Sequence, residues 1–367
     1  MDFESLFRPG ILNTKPYTPG KPISEVQREL GLTDVVKLAS NENPESPTSA
    51  VIDAVCAAAS QLNRYPDGAC FELTRTLAAH LGVDTRALFF GNGSNEVIDM
   101  MIRALISPGE NVVFGHPSFI VYPLTTGVQF ESGRPVPLDA DDRHDLLAMA
   151  AAVNDKTKLV IVCNPNNPTG TYNTAEEFAA FMARIPSRVI VAVDEAYYEY
   201  VLAEDYPETI PMLAAYPNLV LCRTFSKIHS MAGLRVGYAV GHPDFIAQLQ
   251  KTREPFNVNS LAQAACLAVL AQPEETAARA LRNRVWLEEL FAGLRSLGCD
   301  VTPSQTNFLL VRIPGRNATE VQQQLLARGV IVRPMNAFGL GDGAMRVSVG
   351  LPAENQRCLE ALKEILA

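Results

Sequence analysis

Leu219-Val220-Leu221-Cys222-Arg223-Thr224-Phe225-Ser226-Lys227 is an apolar run that breaks into small and hydroxyl-bearing residues and ends on a lysine. Further on comes Arg235, inside Ala232-Gly233-Leu234-Arg235-Val236-Gly237-Tyr238. A lysine partly withdrawn from water has its pKa lowered and gives up its proton readily, which suits imine chemistry with an aldehyde. The hydroxyls of Thr224 and Ser226 and the guanidinium of Arg235 are donors for a dianionic phosphate. A lone lysine after a strand is ordinarily a solvated surface group. The other strand ends therefore decide whether this one is chemical.

The run belongs to a series. Leu88-Phe89-Phe90, Val112-Val113-Phe114 and the stretches 159–163, 189–193 and 236–240 are also short and apolar throughout. Helical patterns lie among them over 48–60, 71–81 and 96–106. Strands apolar on both faces form a mostly parallel sheet covered by helices. The expected fold class is α/β, with a large domain over 45–262 built on a mostly parallel seven-stranded sheet between helices. Residues 1–44 are rich in Pro and Gly, as in Lys15-Pro16-Tyr17-Thr18-Pro19-Gly20-Lys21-Pro22, and read as an N-terminal arm lying over something else. After Pro255 the pattern changes. A long helix over 274–297 precedes strands over 307–313, 330–333 and 345–349, with helices at 318–327 and 352–366. This mixture reads as a smaller α+β C-terminal domain over 263–367.

Charge and composition narrow the partners. The net charge is −9 and no run of five like charges occurs, which argues against nucleic acid or an anionic membrane surface. The seven cysteines are scattered, odd in number and without a C-x-x-C pair, so reduced thiols in the cytoplasm are expected and no metal site is. Met1-Asp2-Phe3-Glu4 is acidic where a signal peptide is basic. No apolar run approaches the ~18 residues that span a bilayer.

In open α/β sheets ligands bind beyond the carboxyl ends of the strands. Beyond the first strand lie Gly93, Ser94 and Asn95 at a helix start, where backbone N–H groups and the helix dipole favour a phosphate. The dinucleotide pattern G-x-G-x-x-G fails there because position 96 is Glu, which disfavours a dehydrogenase. Beyond the second lies Phe119, able to stack on a flat ring. Beyond the third comes Asn164-Pro165-Asn166-Asn167-Pro168-Thr169-Gly170, whose amides can donate to a ring oxygen. Beyond the fourth comes Asp194-Glu195-Ala196-Tyr197. A carboxylate at the end of a buried strand needs a cationic partner. A protonated pyridinium would serve and would make that ring an electron sink. Tyr197 can reach its phenolic oxygen. Five successive strand ends thus supply what a ring bearing an aldehyde and a phosphate, pyridoxal 5'-phosphate, requires. Two further cations, Arg333 and Arg346, lie on apolar strands and call for anionic partners, for which the guanidinium fork suits a carboxylate or phosphate.

With these residues in place the chain resembles the fold-type-I, class I/II aminotransferases that use pyridoxal phosphate. It is most similar to their histidinol-phosphate aminotransferase branch. The motifs run in family order over nearly the whole chain: Asn41-Glu42-Asn43-Pro44, Tyr65-Pro66-Asp67, Asn166 to Gly170, Asp194 to Tyr197, Ser226-Lys227, Gly233 to Tyr238 and Arg346-Val347-Ser348-Val349-Gly350. The resemblance implies that Lys227 attaches the cofactor and then moves the proton. It implies that Asp194 pairs with the ring nitrogen while Asn167 and Tyr197 hold the phenolic oxygen. Gly93, Ser94, Asn95, Thr224, Ser226 and Arg235 would hold the phosphate. Tyr65 would reach the neighbouring subunit's cofactor, so a homodimer is expected. Arg346 would bind the substrate's anion, with Arg333, Asn41 and Tyr17 of the arm assisting.

The implied activity is two-stage transfer of an amino group between L-histidinol phosphate and 2-oxoglutarate, in histidine biosynthesis. Phe119 stands where many relatives have Tyr, which keeps stacking and loses a hydroxyl contact. Ile228-His229-Ser230-Met231 departs from the commoner Ala-Phe-Gly-Leu type. Two alternatives stay open on the same scaffold, an aromatic or broad-specificity L-amino-acid aminotransferase and a decarboxylase of a phosphorylated amino acid. A sensor that merely binds the cofactor would require a missing catalytic group, and none is missing.

Overall fold

The apolar runs become strands in a computed structural model that describes residues 1–18 and 20–367. Pro19, one of the prolines of the expected arm, lies outside the described residues. In chain order the strands are β1 (Val36–Lys37), β2 (Leu88–Gly91), β3 (Asn111–His116), β4 (Gly133–Pro137), β5 (Thr157–Cys163), β6 (Ile190–Asp194), β7 (Leu219–Thr224) and β8 (Gly237–Gly241). Then follow β9 (Asp300–Val301), β10 (Phe308–Arg312), β11 (Val330–Ile331), β12 (Arg333–Pro334) and β13 (Ala344–Ser348).

The central sheet is seven-stranded and mostly parallel, in the order β2-β8-β7-β6-β5-β3-β4. β8 runs antiparallel to both its neighbours, and the other pairings are parallel. Its strands are apolar on both sides because both sides are covered. Val113, Val160, Val162, Val191, Val193 and Leu221 pack under the helices Phe71–Leu81, Ala175–Met182 and Ser260–Leu270. Val112, Phe114, Leu159, Ile161, Ala192 and Val220 pack under Ser94–Leu105, Val121–Val128 and Pro243–Leu249.

Three details differ from the sequence reading. Six apolar runs were legible, and the seventh strand is β4, Gly-Arg-Pro-Val-Pro, at the sheet's edge. Proline cannot donate to a ladder, so an edge is where such a strand is tolerated, and its composition hides it from a search for apolar runs. The stretch over 330–333, read as one strand, is two. β11 pairs in parallel with β1, while β12 joins the antiparallel sheet β12-β13-β10-β9. The helix expected from Glu96 starts at Ser94, with Gly93 as its N-cap at φ 84°.

The antiparallel sheet packs on Leu287, Leu290 and Leu294 of the helix Pro273–Ser296 and on Leu325, Cys358 and Leu362. All seven cysteines are free, Cys56 exposed and the other six buried. Among the described residues no helix is long and apolar enough to cross a membrane.

Because β2, β3, β5, β6 and β7 run the same way, their carboxyl ends gather along one margin of the sheet. There β8 starts opposite Gly91 and Thr224 at Gly237. A Cβ on Gly237 would lie 2.6 Å from the Gly93 carbonyl carbon and closer still to the Ser94 nitrogen. Glycine is therefore what lets the 91–95 turn close over the strand. Gly237→Ala is expected to cost about 2 kcal/mol, seen as a lower urea midpoint at unchanged slope. An unchanged midpoint would mean that this turn yields freely.

Candidate active site

Beyond that margin opens a cavity of about 440 Å³. Ser94, Asn95, Phe119, Asn167, Asp194, Tyr197, Thr224, Ser226, Lys227 and Arg235 line it from the central sheet. Arg333 and Arg346 line it from the antiparallel sheet, and Tyr17 and Asn41 from the N-terminal region. Gly93 sits behind the wall, where a Cβ would strike the Arg235 guanidinium. Tyr65 is not part of this cavity. Its ring is 81% exposed and stacks on Phe256 at 4.7 Å.

Asp194 ends β6, 2% exposed, between Cys163 on β5 and Cys222 on β7. Its Oδ2 accepts a 2.6 Å hydrogen bond from the Tyr122 hydroxyl, while its Oδ1 has no protein partner. Burial pushes the carboxyl up to about 6, against the Tyr122 hydrogen bond, the Ala196 backbone N–H and the Lys227 charge, which lower it. Lys227 lines the same cavity, its Nζ 5.6 Å from the centre of the Tyr197 ring. Burial, helped by the Arg346 and Arg235 charges, pulls its amine down to about 8. An ammonium so weakened offers a neutral amine near physiological pH.

The Tyr197 hydroxyl accepts from Asn41 Nδ2 at 2.9 Å, which leaves its own proton free to donate. Asn41 is held on several sides: Ser348 Oγ accepts from its backbone nitrogen at 2.9 Å, and its carbonyl accepts from Asn307 Nδ2 at 3.1 Å. That grip offsets its left-handed backbone, φ 54°, a strain that recurs at Arg235, φ 59°. The Asn167 loop is braced by Ser118 Oγ, which donates to Asn166 Oδ1 at 2.7 Å, and by Asn166 Nδ2, which donates to Thr169 Oγ1 at 3.0 Å.

Arg346 is 9% exposed, and its Nη1 donates to Asn167 Oδ1 at 2.6 Å and its Nη2 to the Ala39 carbonyl at 2.7 Å. Neither partner carries charge, and Nε has no partner. Burial lowers this guanidinium to about 10. Arg333 donates to the Thr18 carbonyl at 2.8 Å and lies between the rings of Tyr17 and Phe338. Four cations and two carboxylates, Glu42 and Asp194, line the cavity of a chain that is acidic overall. Such a site selects anionic ligands.

The donor set fits pyridoxal phosphate. An unpartnered buried carboxylate oxygen would suit a protonated ring nitrogen, a low-pKa lysine would suit the aldehyde, and Phe119 offers a face. Ser94, Thr224, Ser226 and Arg235 cluster at a helix N-terminus for the phosphate.

The sequence matches the family described as Aminotransferase class I and II over residues 33–362. The chain belongs to the class I and II aminotransferases. Histidinol-phosphate aminotransferase 2 of Pseudomonas fluorescens is 44% identical over 100% of this chain and 99% of its own length. The histidinol-phosphate aminotransferase of Brevibacillus brevis is 46% identical over 97% of each. Among solved structures, that of the Sinorhizobium meliloti histidinol-phosphate aminotransferase in complex with pyridoxal-5'-phosphate superposes with a TM-score of 0.89. It is 27% identical, covering 99% of this chain and 98% of that one.

Two features of this aminotransferase escaped the sequence reading. Tyr122 follows Phe119 in Phe119-Ile120-Val121-Tyr122, and nothing local links it to Asp194, 72 residues away. Glu195, next to Asp194, is fully buried and binds Arg223 at 2.8 Å and Thr209 at 2.7 Å, with Arg223 stacked 3.5 Å over Tyr198. Two adjacent buried acids thus serve apart: Asp194 faces the cavity and Glu195 ties β6 to β7. Arg223→Leu would strand Glu195 without a counter-charge, and a loss of about 3–5 kcal/mol is expected, read by chemical denaturation. A loss under about 1 kcal/mol would class the pair with surface salt bridges.

Proposed function

We propose that this protein is a histidinol-phosphate aminotransferase of histidine biosynthesis. It transfers an amino group between L-histidinol phosphate and 2-oxoglutarate, uses pyridoxal 5'-phosphate, and works in the cytoplasm as a homodimer. The observation that carries this reading is the Arg346 guanidinium, buried at the cavity wall with no carboxylate among its hydrogen-bond partners and its Nε unpaired. A buried charge in that state needs an anion from the ligand. The two substrates present different anions at corresponding places, a carboxylate on glutamate and a phosphate on histidinol phosphate, and a guanidinium fork accepts either. The same name is borne by full-length relatives at 44% and 46% identity.

The bound cofactor supplies an aldehyde that links to an amine and a ring that takes up electrons when the Cα–H bond breaks. The chain's own residues do the rest. Lys227 holds the cofactor, yields its place to the substrate amine, and its freed Nζ removes the α-proton and later returns a proton. Its lowered pKa suits that exchange, because a base works best with a pKa near the working pH. Asp194 Oδ1 keeps the proton on the ring nitrogen. The Tyr197 hydroxyl and the Asn167 amide would donate to the phenolic oxygen, and Phe119 would supply a stacking face. Ser94, Asn95, Thr224, Ser226 and Arg235, with the backbone at Gly93, bind the phosphate.

Arg346 binds each substrate anion in turn, with Arg333, Tyr17 and Asn41 at the rim. Tyr65, exposed and outside the lining of its own subunit's cavity, completes the partner's site. The chain divides for this purpose into an arm (1–44), a cofactor-binding domain (45–262) and a C-terminal domain (263–367).

Holoenzyme given glutamate and imidazole acetol phosphate should form histidinol phosphate faster than it aminates phenylpyruvate at equal concentration. Lys227→Ala should lose about a thousandfold or more. Equal rates on phenylpyruvate would make it an aromatic aminotransferase, and CO2 release without any oxo acid would make it a decarboxylase. Mixing Tyr65→Ala with Lys227→Ala subunits tests the dimer. Random pairing puts one intact site in half of the dimers, so about a quarter of wild-type activity should return. No recovery would place Tyr65 outside the partner's site.

A further inference from the structure

We infer that Tyr122 is a positioning residue for the reaction, acting through Asp194: by holding one carboxylate oxygen it leaves the other as the single acceptor facing the cavity. This rests on the reading of the site as an aminotransferase centre.

Tyr122 is fully buried on the helix Val121–Val128, and its hydroxyl reaches Asp194 Oδ2 at 2.6 Å. Such a short bond to a charged acceptor is about twice as strong as a neutral one. The donor cannot wander. The Tyr122 ring packs on Phe114 at 6.0 Å and meets Phe119 edge-on at 5.8 Å, and its backbone carbonyl accepts from Thr126 Oγ1 at 2.7 Å. Nor can it ionise, because burial and the Asp194 charge hold its hydroxyl far above the ordinary tyrosine range.

The groups facing Asp194 are few. Tyr122 comes from the helix, Cys163 and Cys222 from the flanking strands, Lys227 from the loop after β7, and Glu195, the Ala196 backbone N–H and Tyr197 from its own segment. Burial raises both thiols, Cys163 to about 12 and Cys222 well above its usual value, so neither replaces the hydroxyl as a strong donor. Tyr122 is thus the side-chain donor that, with the weaker help of the Ala196 backbone N–H, keeps a desolvated carboxylate ionised and pointed. Phe119, against the same ring, ties the stacking face to the same support.

Tyr122→Phe keeps the ring and removes only the donor. Cofactor affinity of the stripped full-length protein, followed by fluorescence quenching on adding pyridoxal phosphate, should weaken about tenfold. In the holoenzyme kcat should fall by about the same factor with KM little changed. A further readout needs no cofactor. A carboxyl whose folded pKa is raised binds its proton more readily folded than unfolded, so its contribution to stability falls as pH rises from near 4 through about 6. Without the Tyr122 donor that fall deepens and extends upward. The melting temperature of stripped Tyr122→Phe should therefore drop below wild type by more at pH 8 than at pH 5.

The cycle with Asp194→Asn completes the test. If Tyr122 acts through Asp194, the double variant binds cofactor no worse than Asp194→Asn alone. Additive losses, or a Tyr122→Phe deficit independent of pH, would overturn the inference and leave Tyr122 as core filling. Wild-type behaviour of Asp194→Asn would instead remove the reading of the site on which it rests.

Discussion

Withdrawing charge from water without cancelling it is the constraint around which this molecule is built. At the carboxyl ends of neighbouring strands, Asp194 and Lys227 share one cavity with Arg346, and each is pulled by burial toward its neutral form. None is relieved by a close counter-ion. Full desolvation of a lone charge costs several kcal/mol even after relaxation. Such groups persist only where the surrounding structure holds them, and the surroundings here are unusually well braced. Tyr122 grips one oxygen of Asp194, Asn167 and the Ala39 carbonyl grip Arg346, and Asn41 is fastened by Tyr197, Ser348 and Asn307.

The sheet supplies that bracing. Strands covered on both faces cannot slip by one residue without sending every side chain to the opposite face and repacking both layers, so the positions of their ends are fixed. Asp194 stands level with Cys163 and Cys222 because three adjacent strands share a register. The contrast between Asp194 and Glu195 shows how finely this works. One residue further along the chain turns the side chain to the other side of the sheet, where Arg223 neutralises it and the Thr209 hydroxyl donates to it. The same pair of residue types thus yields a stable cross-link and a reactive centre, separated only by the pleat.

The antiparallel sheet contributes differently. Arg346 on β13 and Arg333 on β12 sit opposite each other in register, and both reach the cavity. Each is tethered through neutral carbonyl oxygens, Arg346 to Asn167 and Ala39 and Arg333 to Thr18 in the N-terminal region. Tethers of that kind position a cation without discharging it. The β1–β11 pairing ties the segment before Asn41 to the same region, so the 39–42 turn and the arginines are placed together.

Much of this was readable in the linear chain, because parallel strands are written as apolar runs and the residues that follow each run are the residues at the strand end. That rule alone located Ser94, Phe119, Asn167, Asp194, Tyr197, Lys227 and Arg235. It could not locate β4, whose two prolines suit an edge and not an apolar run. It could not split 330–333 between two sheets, since Val330-Ile331-Val332-Arg333 reads as one unbroken strand and only the partners of its two halves differ. Nor could it find Tyr122 opposite Asp194 or Arg223 opposite Glu195. Local chemistry, covalently ordered along the chain, determined which groups are available and at which strand ends. Which buried charge is matched and which is left open depends on strand order and side-chain direction across separations such as the 72 residues between Tyr122 and Asp194, and only the folded chain decides that.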